Sequence, residues 1–210
     1  MEAHSNSDEA SGTNVTIVRV LSGGDIKSVA MPETKFDCLH PLLVENLSAL
    51  DVSMPTGQLR ALPSQSACLC LLDNSADAVL VAPTGQGKTL AYLIVMVNRL
   101  LKDVSSPTPA SPGALVLVPN RELALQVAEV AKKLLSGSKL QVLVLIGGYR
   151  PHQLKNMKRL QVLVATPGRL LEHVNNGDIS LANVSFLVLD EVDRLAKKEF
   201  SDPIIVSVAI

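Results

Sequence analysis

From Val79 onward the chain alternates short aliphatic runs with longer stretches whose apolar residues recur at helical spacing, and this alternation constrains the fold more than any other feature. The runs at 79–82, 114–118, 140–146, 161–165 and 184–190 read as strands, and the stretches at 88–102, 121–135, 152–159 and 168–175 read as helices. Strands that take turns with helices predict an α/β fold, a parallel sheet with helices on both faces, because every parallel crossover needs a connecting element. Ligand-binding loops in such a sheet gather beyond the carboxyl ends of the strands. Upstream, 36–50 reads as an amphipathic helix, 15–21 is an alternating or apolar stretch with no assigned role, and 1–14 is polar and expected to be disordered. Ser105–Gly113, with three prolines, reads as a surface excursion.

The loop after the first of these strands carries the strongest local chemistry. Ala82-Pro83-Thr84-Gly85-Gln86-Gly87-Lys88-Thr89 joins the run Val79-Leu80-Val81 to the helix beginning at Lys88. Gly85 and Gly87 permit backbone conformations that turn successive N–H groups inward, where they and the helix N-terminus solvate a polyphosphate. Lys88 is placed to set its ammonium on the β- and γ-phosphates, and the Thr89 hydroxyl to coordinate magnesium. Ala82 stands where the general phosphate-loop pattern has its first glycine. The plain alternative is a glycine turn that binds nothing.

Composition sets the outer bounds. At 210 residues, 47% hydrophobic and 19% charged, the chain is long enough for one good-sized domain with a real core. That core is aliphatic, since there are three Phe, two Tyr and no Trp. A net charge of −1 means that nucleic acid must be held by locally placed arginines and lysines, not by a global field. Cys38, Cys68 and Cys70 are too few and too awkwardly spaced for a disulfide framework or a zinc site, which points to a reducing compartment. No apolar run approaches the roughly 18 residues of a membrane span, and the N-terminus lacks a signal or organelle-targeting pattern. A cytoplasmic or nuclear protein with no membrane association is expected.

The strand ends carry further motifs. The run at 114–118 leads into Pro119-Asn120-Arg121-Glu122-Leu123-Ala124, and the run at 140–146 into Gly147-Gly148. The run at 161–165 leads into Thr166-Pro167-Gly168-Arg169, and the last strand ends in Asp190-Glu191-Val192-Asp193. Singly, Thr-Pro-Gly-Arg and Gly-Gly are weak signals. With the phosphate loop, and in this order on successive strand ends, the set resembles the first RecA-like lobe of the DEAD-box ATP-dependent RNA helicases, over roughly 36–200. Two positions depart from the pattern: Asn120 replaces a threonine, and Val192 replaces the alanine of the name motif.

The resemblance implies a domain at 36–210, preceded by a polar and partly disordered extension at 1–35, with ATP and Mg2+ as cofactors. Ala82 through Thr89 would bind the nucleotide. Asp190, with Thr89, would hold the magnesium; Glu191 would orient and deprotonate the attacking water; Asp193 would couple the site to later motifs. The adenine would be read by Gln65 or, alternatively, Gln58; Gln65 is preferred because it is nearer and has Pro63 two residues before it. Phe36 is either an adenine-stacking aromatic or a core residue. Arg121, Gly148, Thr166 and Arg169 would meet the RNA sugar-phosphate backbone, giving affinity without base selectivity. Structural alternatives stand beside these roles: Arg121 pairing with Glu122 or Glu129, Arg169 pairing with Glu172 or Asp190, and the acidic cluster as a solvated helix start.

The family's second lobe, with its arginine fingers, has no counterpart up to Ile210. The chain alone is therefore expected to bind ATP weakly and hydrolyse it barely. Two alternatives to a helicase lobe remain: a non-catalytic nucleotide- or RNA-binding product, and a DNA helicase of the same superfamily.

Overall fold

Aliphatic residues that alternate between two faces build the sheet on which everything else is mounted. The computed structural model describes residues 16–20, 26–28, 39–50, 65, 68, 78–81, 85, 87–103, 111–148 and 160–197. In chain order these give β1 (Thr16–Val20), β2 (Ile26–Ser28), α1 (Pro41–Ala49), β3 (Ala78–Val81), α2 (Lys88–Lys102), β4 (Ala114–Leu117), α3 (Arg121–Leu134), β5 (Gln141–Leu145), β6 (Leu160–Ala165), α4 (Pro167–Asn175), β7 (Phe186–Leu189) and the single turn α5 (Val192–Leu195). Four strands form a parallel sheet in the order β5-β6-β4-β7.

Period-two alternation divides the core. Val116, Val144, Val162 and Val164 point to one face, where they meet Leu43 and Leu47 of α1, Ile94 and Val97 of α2, and Val127 and Ala131 of α3. Leu115, Leu117, Leu143 and Leu163 point to the other, against Leu170 of α4 and Leu195 of α5. Burial of each such side chain contributes about 1.5–3 kcal/mol, so helices on both faces follow from strands that are aliphatic on both faces. On α3 the buried residues are Ala124, Val127, Ala128, Ala131 and Leu134, the three-and-four spacing of a helix with one face inward.

Polar side chains fix how α1 sits. The Asn98 side chain, buried in α2, accepts a hydrogen bond from the His40 N–H at the start of α1, at 2.8 Å. Asn46 Nδ2 donates to the carbonyls of Leu134 and Ser136, each at 2.9 Å, satisfying groups that the end of α3 would otherwise leave open.

The strand before the phosphate loop departs from the layout that the alternation predicts. β3 is not a member of the parallel sheet; it pairs antiparallel with β1, Thr16 opposite Val81 and Arg19 opposite Ala78, in a separate sheet ordered β2-β1-β3. Val79 and Val81 are 50% and 54% exposed, so this strand buries one side only. Its Leu80 packs with Cys68, Ala91, Val95 and Phe186. The stretch to which sequence assigns no role thus supplies the partner. Three apolar residues specify a strand but not the strand they pair with. The anticipated helix at 152–159 lies outside the described residues, as do Phe36 and Gln58.

The register brings the loops level. Leu117 of β4 lies opposite both Ala165 of β6 and Leu189 of β7, and Leu145 of β5 lies opposite Ala165. The chain consequently leaves all four strands at one edge, delivering residues 118–121, 146–148, 166–169 and 190–193 to the same rim.

Candidate functional site

At the nucleotide corner, Gly85 and Gly87 have φ of 83° and 69°, the left-handed region in which glycine carries no steric penalty. Space is not the constraint at Gly85, since a Cβ there would meet nothing within 4 Å. Gly87 is the N-cap of α2, and its carbonyl accepts from Ala91 N at 2.9 Å. No side chain caps this helix start and no acidic residue occupies its first turn, so its amides and partial positive charge are available to an anion. Lys88 and Thr89 open the helix. Ala82, Pro83, Thr84 and Gln86 lie outside the described residues. Gln65 is buried, 1% exposed, and so is not an ordinary surface glutamine.

The acidic cluster meets this helix. Asp190 N continues the β4 ladder by donating to Leu117 O at 3.0 Å, which sets the aspartate at the rim. Its Oδ1 accepts from Glu191 N at 2.9 Å, and its Oδ2 accepts from the Tyr92 hydroxyl at 2.8 Å. Tyr92 stands one turn beyond Thr89 on α2, so the contact joins the phosphate-loop helix to the end of β7. Burial, then the adjacent charge of Asp190 and the hydrogen bond to it, hold the Tyr92 hydroxyl far above the usual tyrosine range; a hydrogen bond with the Thr89 side chain pulls the other way.

Glu191 has φ 51° and ψ 52°, the one non-glycine residue at positive φ among those described. That conformation costs about 1–2 kcal/mol in a residue with a Cβ. It turns the chain sharply out of β7 into α5, where the Glu191 carbonyl accepts from Arg194 N at 2.8 Å and Leu195 N at 3.1 Å. Glu191 Oε2 lies 3.3 Å from Arg194 Nε, an ion pair without hydrogen-bond alignment. Asp193 is exposed in the first turn of α5, and Val192 beside it is 52% exposed.

Among the described residues no group of three or more His, Cys, Asp or Glu side chains is placed to hold a metal. Magnesium at a phosphate site is held by one or two carboxylates plus the phosphates and water. One aspartate and one threonine hydroxyl, Asp190 and Thr89, therefore fit a magnesium ion that arrives with its nucleotide.

Farther along the rim, Pro119, Asn120, Arg121, Glu122, Gly147, Thr166, Gly168, Arg169 and Glu172 line an open cleft of about 540 Å³. Asn120 is the N-cap of α3, its Oδ1 accepting from Leu123 N at 2.8 Å. That explains the departure from threonine, since asparagine caps at least as well. Thr166 caps α4 through its backbone alone, with Pro167 in the first turn, so the amides there face the cleft without a competing side chain. Gly148, at φ 76°, lies so close to Arg121 that a Cβ would stand 2.7 Å from its Nη2.

The pairing alternatives divide. Arg169 pairs with Glu172, which shares the cleft. Glu129 pairs with Lys133, at 2.8 Å, and not with Arg121. The structure thus brings Arg121, Gly148, Thr166 and Arg169 to one rim. Sequence reasoning missed Tyr92, whose signal was its place one helical turn beyond the threonine of the loop.

Comparison with known proteins places these features. Residues 62–208 match the DEAD/DEAH box helicase profile. The probable ATP-dependent RNA helicase vasa-like of Penaeus vannamei is 38% identical over 169 residues, 77% of this chain and 23% of that protein. The ATP-dependent RNA helicase DRS1 of Saccharomyces cerevisiae is 35% identical over 184 residues, 81% of this chain and 24% of that protein. The chain spans about a quarter of the length of these curated relatives. Among solved structures it is similar to S. cerevisiae Dbp5 bound to RNA and ADP BeF3, with TM-score 0.67 and 28% identity over 83% of this chain and 43% of that one. Prp28 of Chaetomium thermophilum bound to ADP, at 23% identity and TM-score 0.74 over 91% and 45% of the two chains, shares the fold.

Proposed function

Because the chain belongs to the DEAD/DEAH box helicase family, we propose that it supplies the RecA-like lobe of an ATP-dependent RNA helicase that binds ATP and the RNA backbone. The observation that carries this reading is the 2.8 Å hydrogen bond from Tyr92 to Asp190, which holds the acidic strand end against the helix that Gly-Lys-Thr opens.

The residues divide the work by their chemistry. The 82–89 loop and the α2 amides bind the triphosphate, with Lys88 against the β- and γ-phosphates. Thr89 and Asp190 hold the magnesium, which supplies charge neutralisation on the phosphate oxygens once bound. Glu191 orients the attacking water and takes its proton, and its left-handed backbone aims it away from the strand direction. Asp193, exposed on α5, couples the site to later parts of the enzyme, and Gln65 reads the adenine. In the cleft, Arg121 and Arg169, the α4 amides at Thr166 and the close backbone at Gly148 bind RNA phosphates without reading bases.

Two titrations test this. Lys88→Ala should weaken Mg·ATP binding; equal binding by the variant and the wild type refutes the nucleotide site. Replacing Arg121 and Arg169 together should weaken single-stranded RNA binding and flatten its salt dependence by about 0.7 for each phosphate that the variant no longer neutralises. Unchanged RNA binding removes the cleft assignment.

A second reading is that residues 1–210 bind nucleotide or RNA without significant turnover. On that reading a polypeptide of residues 1–210, assayed by itself, hydrolyses ATP barely. Adding a family second lobe in trans and measuring RNA-stimulated phosphate release separates the readings: stimulation supports the helicase lobe, and its absence the binding product.

A further inference from the structure

The geometry points to Tyr92 as a positioning residue that sets the orientation of the Asp190 carboxylate toward the magnesium of a bound nucleotide, an inference resting on the nucleotide-binding reading above. Both oxygens of Asp190 are engaged, and by donors from different elements. Oδ1 takes the Glu191 N–H at the start of α5, at 2.9 Å, and Oδ2 takes the Tyr92 hydroxyl of α2, at 2.8 Å. Two anchors fix the plane of a carboxylate that would otherwise rotate about its χ2 torsion. Each oxygen has a second lone pair, so the anchors leave acceptor capacity for a cation.

The placement of Tyr92 makes the anchor more than local. It lies three residues after Thr89 on α2, one helical turn on, so both side chains leave the same side of the helix. One helix therefore carries the proposed hydroxyl ligand, Thr89, and, through the Tyr92–Asp190 hydrogen bond, the group that orients the proposed carboxylate ligand. Partners of this kind behind a metal ligand typically alter metal affinity by 10–100-fold when removed. The ring of Tyr92 also packs partly buried against the core of the helical face, alongside Leu90 and Leu123. Phenylalanine retains that packing and removes only the hydroxyl.

The experiment uses the full 210-residue chain, a fluorescent ATP analogue and a magnesium titration. Tyr92→Phe should raise the magnesium concentration needed for half-maximal enhancement of nucleotide binding by about tenfold. Its affinity for the analogue in EDTA should match wild type, and its thermal midpoint should fall by about 3–12 °C, the share of one hydrogen bond to a charged group, so titrations are run well below that midpoint. In an Asp190→Asn background the same substitution should have no further effect on the magnesium response, which a packing role alone would not produce. A magnesium midpoint in Tyr92→Phe equal to or below wild type overturns the inference while leaving the nucleotide site intact. An effect that persists undiminished in the Asp190→Asn background overturns it too. Wild type that binds the analogue identically with and without magnesium instead brings down the proposed metal site itself.

Discussion

Gly147 and Gly148 are neighbours with opposite constraints, and replacing each by alanine separates backbone necessity from mere smallness. Gly147 has an ordinary backbone, and a Cβ there meets nothing within 4 Å. Gly148 has φ 76°, and its added Cβ would lie 2.7 Å from Arg121 Nη2 and 3.5 Å from Arg121 Cζ. The left-handed conformation costs an alanine about 1–2 kcal/mol. The clash is with the far end of a flexible side chain, so Arg121 swings aside and adds little to that cost. For a chain of this size each kcal/mol lowers the melting temperature by roughly 2–4 °C, so Gly148→Ala should melt about 2–8 °C below wild type. Gly147→Ala should melt about 1–4 °C above it, since alanine on a compatible backbone restricts the unfolded chain and meets nothing in the folded one.

The displaced guanidinium gives the second readout. Fluorescence anisotropy of a labelled single-stranded RNA, measured across a salt series, should show weaker binding by Gly148→Ala and a salt slope shallower by about 0.7, the equivalent of one phosphate. Gly147→Ala should retain the wild-type slope. If the two variants melt together and bind alike, neither the positive φ nor the Arg121 contact constrains this loop, and the RNA-binding role of the cleft fails with them.

Asn120→Ala should lower stability by about 1 kcal/mol through loss of the cap to Leu123 N, whereas Asn120→Thr should stay close to wild type, both read from urea unfolding. Asn46→Ala exposes the Leu134 and Ser136 carbonyls and should cost about 1–2 kcal/mol, with faster amide exchange at the end of α3; unchanged exchange there counts against the capping role. The Glu129 carboxyl is held below its usual range by the Lys133 hydrogen bond and charge, so any stability it contributes is present above the unfolded pKa and lost as pH falls. Because that pair is exposed, Glu129→Gln should leave the melting temperature at pH 7 unchanged, and a clear drop would show the pair to be coupled to more than its own helix.

Much of the fold is legible in the sequence because its signals are local. The bounds of α2, 88–102, follow from a glycine start and an apolar period that ends in Arg99 and Lys102, and β4, β6 and β7 are aliphatic runs bounded by turn residues. Gly85 and Gly87 declare their positive φ in advance because few other residues accept it. Pairing is another matter. Nothing in Val79-Leu80-Val81 says that it will lie beside Thr16–Val20, more than fifty residues away, and in the opposite direction. Tyr92 reads as one more apolar residue of α2; its bond to Asp190 depends on how that helix is rotated against β7, which only the assembled packing decides. Arg169 and Glu172 are the reverse case, since a three-residue spacing on a helix makes their pairing readable without coordinates.

The last strand of the parallel sheet has a consequence for handling the protein. Beyond β7 the described residues offer no neighbouring strand, and Phe186, Leu187, Val188 and Leu189 all retain some contact with solvent. A strand edge that carries aliphatic side chains is adhesive toward any extended peptide that reaches it. Leu187 is the most exposed of the four, so a lysine there is the substitution that adds charge to this border at the least cost in packing.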